Sequence, residues 1–146
     1  MSAIKIAVAN QKGGIGKTTT AIELYYGLKN RGYRVLMIDS DPQRSTTGVF
    51  GAKTENEATL ADMLYSGEKA DACIQKTRMG DMIASDVILS EADTRIPADA
   101  DRFYHLTDTC AGIEGRYDYI VFDTPPGNGV LLGNVLSYAD YVIMPV

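Results

Sequence analysis

Two groups of residues in this chain have the types and spacing to do chemistry: a lysine-flanked glycine cluster and three aspartates at the ends of apolar runs. Between Lys12 and Lys17 the chain sets three glycines and two lysines within six residues, and Thr18 and Thr19 follow. Fixing glycine costs conformational entropy, so such a cluster in an ordered domain needs a reason. A glycine-rich loop that opens a helix can aim several backbone N–H groups, and the positive end of the helix dipole, at one anion. Gly13, Gly14, Ile15, Gly16, Lys17, Thr18 and Thr19 would then cradle nucleotide phosphates. Lys17 would reach the β- and γ-phosphates, and the Thr18 hydroxyl would ligate Mg²⁺. The general pattern G-x-x-x-x-G-K-[ST] asks for glycine at position 11, where this chain has Gln11, and it leaves position 12 open, where this chain has Lys12.

The aspartates are Asp39 and Asp41, after the run "YRVLMID", and Asp123, which ends "YDYIVFD". In open α/β sheets ligands bind off the carboxyl ends of strands, so all three should face the same crevice as the glycine loop. A phosphate-bound Mg²⁺ requires hard oxygen ligands, commonly waters held by carboxylates. An attacking water requires an acceptor to orient it.

The elements that must hold these groups are legible from periodicity. "AIKIAVA", residues 3–9, reads as a strand, and Ala21, Leu24, Tyr25 and Leu28 follow with helical spacing. Gly32 suits a helix stop after Lys29 and Arg31. The nearly unbroken apolar run to Asp39 suggests a parallel strand buried on both faces. Residues 3–39 thus form a βαβ unit, whose crossover is right-handed as a rule. Further along, the patterns predict a helix over 58–66, a weak strand near 82–85, a helix over 101–113 and a strand over 117–123. "TPPGNG", 124–129, is a turn, followed by a helix over 130–139 and a strand over 140–146. The alternation gives an α/β fold with a mostly parallel sheet and helices on both faces, in one domain spanning 1–146.

"NQKGGIGKTTT", "VLMIDSDPQ" and "YDYIVFDTPPG" together resemble the ParA/MinD class of P-loop ATPases, and most closely the ParA/Soj partition ATPases. "KGGIGKTT" is similar to that class's deviant Walker A motif with its additional lysine. The resemblance implies ATP or ADP with Mg²⁺ as cofactor and ATP hydrolysis in an ATP-driven dimer switch. It gives Asp123 the Walker B place behind the metal's waters, Asp41 the positioning of the attacking water, and Asp39 a place near the metal and Thr18. It also implies that Lys12 reaches across a nucleotide-sandwiched homodimer to the partner's phosphates, as an arginine finger does. A ParB-like partner protein and non-specific DNA are implied by the resemblance alone. The family usually places a Gly-Asn-like pair after "DPQ", where this chain has Arg44-Ser45. "TPPGNG" is either a switch-like loop that senses the γ-phosphate or a rigid proline turn.

Composition narrows the alternatives. The net charge is -5, which argues against a general nucleic-acid surface, and no basic stripe is visible. Cys73 and Cys110 form no C-x-x-C pair, which argues against a metal or iron–sulfur site and suits reduced thiols in a cytoplasmic protein. His105, the one histidine, reads as a surface or half-buried structural residue. No run reaches a membrane span, and the first residues lack a signal peptide's apolar stretch. Members of the resembled class are longer, so the fold's C-terminal part is expected to be absent, which would leave an exposed sheet edge, a bare apolar face and a tendency to self-associate. The competing functions are a MinD-like membrane-cycling ATPase and a non-hydrolysing, nucleotide-binding regulatory fragment.

Overall fold

The computed structural model describes residues 2–10 and 15–145. Strand β1 (Ile4–Val8) leads through the glycine loop to helix α1 (Ile15–Asn30) and strand β2 (Val35–Asp39). Short helices α2 (Ser45–Phe50) and α3 (Leu60–Ser66) precede a hairpin of β3 (Ile74–Thr77) and β4 (Gly80–Ile83). Helices α4 (Ala92–Arg95) and α5 (His105–Cys110) follow, then β5 (Tyr119–Asp123), α6 (Val130–Tyr138) and β6 (Tyr141–Ile143).

The strands form one six-stranded sheet in the order β3-β4-β2-β5-β1-β6. Every neighbouring pair is parallel except β3 with β4. Side-chain alternation sends each strand's residues to two cores. Leu36, Ile38, Ile120 and Phe122 pack with Leu60, Met63, Leu106 and Val135 on one face. Val35, Met37 and Val121 pack with Ala21, Tyr25 and Phe50 on the other. Helices therefore cover both faces, as the buried run of β2 requires.

Register sets the site. Val8 pairs with Asp123 across β1 and β5, and Asp123 pairs with Asp39 across β5 and β2. The strand that feeds the glycine loop and both aspartate-bearing strands therefore end at one level. Secondary bonds tie those tips together: Ser40 Oγ donates to the Asp123 carbonyl at 2.7 Å and Thr124 Oγ1 to the Val8 carbonyl at 2.8 Å.

Several boundaries differ from the sequence reading. The helix expected over 101–113 is α5 plus a single 3₁₀ turn, Ala111–Ile113. Residues 99–104 turn instead, because Asp99 Oδ1 accepts from Asp101 N and the Asp101 carbonyl accepts from Tyr104 N. Asn134 on α6 accepts from His105 N at 3.0 Å, a tertiary contact that no local pattern reveals. The weak strand lies at 80–83 and is paired with β3, whose half-polar "IQKT" hides it. Helix α2, rich in β-branched residues, was not anticipated. Arg44 sits before it at φ 59°, a left-handed conformation that explains the fit of glycine there in the resembled family. Gly32, at φ 90°, ends α1 as expected. The sheet edge at β6 is exposed, with Tyr141, Val142, Ile143 and Met144 open to solvent.

Candidate functional site

The first turn of α1 lies beside the strand tips, where Lys17 and Thr18 both bond to Asp123. Lys17 lies in that turn and is buried, 2% exposed. Its Nζ donates to Asp123 Oδ1 and, at 3.3 Å, to Asp41 Oδ2. Thr18 Oγ1 donates to Asp123 Oδ2 at 2.9 Å. A buried cation requires this kind of pairing, since an isolated ion loses its hydration without return. Four of the anticipated residues, Lys17, Thr18, Asp41 and Asp123, thus meet at one point. Lys17 is turned toward the carboxylates, whereas the sequence pattern placed it on phosphates.

Asp39 stands beside this group in its own set of bonds. Its Oδ2 accepts from Thr47 N at 2.8 Å and from Thr47 Oγ1 at 2.7 Å, and its Oδ1 accepts from Asp41 N at 3.1 Å. Burial raises its pKa to about 6; the Thr47 donors oppose that rise and the Asp123 charge adds to it. Asp39 therefore holds α2 and the start of the Asp41 turn, and its bonded partners do not include Thr18. Gly16 and Thr19 are exposed. Lys12, Gly13 and Gly14 lie outside the described residues.

Three residues that sequence reasoning missed complete the arrangement. Thr46 Oγ1 donates to Asp123 Oδ2 at 2.6 Å, so that oxygen receives two hydroxyls. Thr47 holds Asp39 and also accepts from Ser85 N at 2.9 Å. Ser85 Oγ donates to the Asp41 carbonyl at 2.6 Å. The run Ser45-Thr46-Thr47, one residue beyond "DPQ", was the available signal. It went unread because hydroxyl residues also suit loops and turns.

The "TPPGNG" segment leaves the site from Thr124, which is buried, into an exposed stretch from Pro126 to Gly129. Its far end is anchored: Asp93 Oδ1 accepts from Val130 N at 2.8 Å. Gly129, at φ 148°, lies so near the Asp93 carboxylate that an added Cβ would come within 3.0 Å of it.

The oxygens around Asp123 are of the hard type that Mg²⁺ takes. Among the described residues no cluster of three or more His, Cys, Asp or Glu could hold a metal unaided. Mg²⁺ that arrives on a nucleotide brings phosphate oxygens and waters and takes only one or two protein groups. The residues present therefore fit Mg²⁺ bound to a nucleotide. Among the described residues, no helix is long and apolar enough to cross a membrane.

Comparison with known proteins gives the family and the fold. The model of the AAA domain family matches residues 3–146. The chain is 42% identical over 147 residues to the chromosome partitioning protein ParA of Caulobacter vibrioides, covering 97% of this chain and 55% of that protein. It is 35% identical over 144 residues to the sporulation initiation inhibitor protein Soj of Bacillus subtilis, covering 97% and 57%. The crystal structure of cobyrinic acid a,c-diamide synthase from Mycobacterium smegmatis with bound ADP and magnesium superposes with a TM-score of 0.91 at 33% identity, covering 99% of this chain and 59% of that one. The chain thus spans 55–59% of the length of these relatives. A phosphate-loop fold with its lysine and aspartates gathered at the strand tips, matched over nearly its whole length by one family model, belongs to the AAA domain family, and within it this chain is a homologue of ParA and Soj.

Proposed function

We propose that this chain is the nucleotide-binding part of a ParA-like partition ATPase, which binds ATP with Mg²⁺ and hydrolyses it within a nucleotide-dependent homodimer. The observation that carries this reading is Lys17, buried between Asp123 and Asp41 with Thr18 on the same Asp123 carboxylate. The similarity to ParA and Soj supports the partitioning role, and the ADP and magnesium in the M. smegmatis structure support the cofactors.

The bonds support these roles. An incoming triphosphate competes with two carboxylates for the Lys17 ammonium. As Lys17 turns to the β- and γ-phosphates, Asp41 gives up its cation and gains the freedom to accept a hydrogen bond from water. Asp123, fixed by Thr46 and Thr18, keeps its orientation and would hold waters of a bound Mg²⁺. Magnesium, when bound, neutralises charge on the phosphate oxygens. The Asp41-oriented water attacks the γ-phosphorus, the bond to the bridging oxygen breaks, the water's proton passes to the departing phosphate, and ADP and phosphate leave. Gly13, Gly14, Ile15, Gly16 and Thr19 would supply the backbone cradle, and Asp39 would hold Asp41's turn rather than meet the metal directly. Lys12 would neutralise charge on the partner's nucleotide across the dimer. A cytoplasmic location, a ParB-like partner and non-specific DNA belong to the same proposal and are supported by similarity to ParA alone.

Nucleotide binding and phosphate release with and without Asp41→Ala test the reading. The variant should bind ATP with Mg²⁺ within a few-fold of the parent and release no phosphate. A parent chain that binds ATP yet never releases phosphate, alone or as a dimer, would favour the non-hydrolysing alternative. Lys12→Ala should bind nucleotide as the parent does and fail to dimerise or turn over; normal dimers with normal turnover would remove Lys12 from its role.

A further inference from the structure

At the end of the sheet opposite the strand tips, three segments distant in sequence surround a cavity of about 400 Å³. Tyr25, Lys29 and Tyr33 come from the last turns of α1 and just beyond, Lys76 from the β3–β4 hairpin, and Arg116 and Tyr117 from the approach to β5. Along α1 this lies about 18 Å from Lys17, at 1.5 Å rise per residue. The floor is tightly built: Gly80, at φ 134°, runs so near Tyr25 that an added Cβ would meet its hydroxyl at 2.0 Å.

The charges here run against those of the whole chain, which is -5. The two nearby carboxylates already have partners. Asp118 takes the Arg34 guanidinium and its backbone N–H, and Asp81 accepts from Tyr117 Oη at 2.8 Å and pairs with Lys76 at 3.6 Å. Lys29 and Arg116 have no carboxylate within ion-pair distance among the described residues. Lys29 donates to the Met79 carbonyl and lies 5.8 Å over the Tyr25 ring; Arg116 lies 5.9 Å over Tyr117. A cation at the end of α1 complements the helix dipole, which accounts for Lys29. It does not account for Arg116, which the fold brings from another segment. Lys29 and Arg116 are exposed, and cations gathered round a concavity raise the local potential that attracts anions. At the rim Tyr33, 44% exposed, stands edge-on to Tyr119 with centroids 5.1 Å apart and offers its ring to solvent.

We propose that this cavity is a second anion site, separate from the phosphate loop, for a small phosphorylated molecule with a flat ring. The phosphate would lie between Lys29 and Arg116, and the ring against Tyr33. The concavity and the aromatic rim favour a small ligand over a polymer, which is read along a stripe. The proposal is independent of ATP hydrolysis.

Residue-resolved NMR titration of the whole chain with AMP tests it, since the shifts themselves tell which end of α1 responds. Amides of Tyr33, Lys76 and Arg116 should move with AMP, and adenosine or inorganic phosphate alone should bind at least about tenfold more weakly. Lys29→Gln with Arg116→Gln should weaken AMP by about tenfold or more, with single Arg116→Gln as the milder variant and thermal melting as the check on folding. Three outcomes would overturn the proposal: AMP shifts confined to the first turn of α1; phosphate binding as tightly as AMP; or a 20-base-pair duplex moving these amides while AMP does not.

Discussion

Deleting the Lys17 side chain should do more than remove a phosphate contact, because in the nucleotide-free chain that lysine neutralises two buried acids. Asp123 has no exposed surface and Asp41 is 6% exposed. Lys17→Ala leaves both carboxylates in a low-dielectric site without their cation. Removing one partner of a buried ion pair costs about 3–5 kcal/mol. For a chain of 146 residues that corresponds to about 10–16 °C in Tm. The assay is thermal and urea unfolding of parent and variant without nucleotide or Mg²⁺. Lys17→Ala/Asp123→Asn should recover at least half of the loss, because the two sites are coupled. A Lys17→Ala chain that melts within about 2 °C of the parent, with no coupling to Asp123→Asn, would refute the view that Lys17 holds these acids. Loss of ATP binding in Lys17→Ala is therefore best read beside the double variant, which separates lost phosphate contact from lost folding.

Thr46→Val removes one of two hydroxyls on Asp123 Oδ2 at nearly constant shape. It should raise the Mg²⁺ concentration needed for half-maximal nucleotide binding about tenfold, while Thr46→Ser stays near the parent; equal Mg²⁺ dependence in all three would remove Thr46 from this role. Asp39 has its pKa raised from 3.8 to about 6, chiefly by burial, so between those values the folded chain holds a proton that the unfolded chain has released. Stability from this group therefore rises as pH falls through 6 and is fully present below about 4, at on the order of 3 kcal/mol. Asp39→Asn should flatten that slope in urea melts between pH 4 and 7 and leave the chain no less stable at pH 7; an unchanged slope would contradict the assignment. Arg44→Gly should relieve the left-handed strain at φ 59° and gain up to about 1 kcal/mol, less the Arg44 bond to Thr54, whereas Arg44→Val should lose at least as much. Melting temperatures in the reverse order would show that the backbone there is not strained.

The sequence alone was sufficient for the core of the fold. Short apolar runs that end in aspartate, and a glycine loop between strand and helix, can satisfy burial and backbone hydrogen bonding in few arrangements, so β1, α1, β2 and β5 were legible together with Lys17, Thr18, Asp41 and Asp123. Local pattern also carried Gly32, whose left-handed φ ends α1. The stretch between β2 and β5 was less legible, because β3 is half polar and α5 takes its start from Asn134, 29 residues away. Only the tertiary structure decided that Lys17 rests on two carboxylates and that Asp39 belongs to Thr47. It alone brought Thr46 onto Asp123 and gathered Lys29, Lys76 and Arg116 round one cavity. The buried contacts depend on strand register and on which side chains share a buried space, the cavity on which segments the topology brings to one end of the sheet, and none of this is encoded in the spacing of residues within one segment.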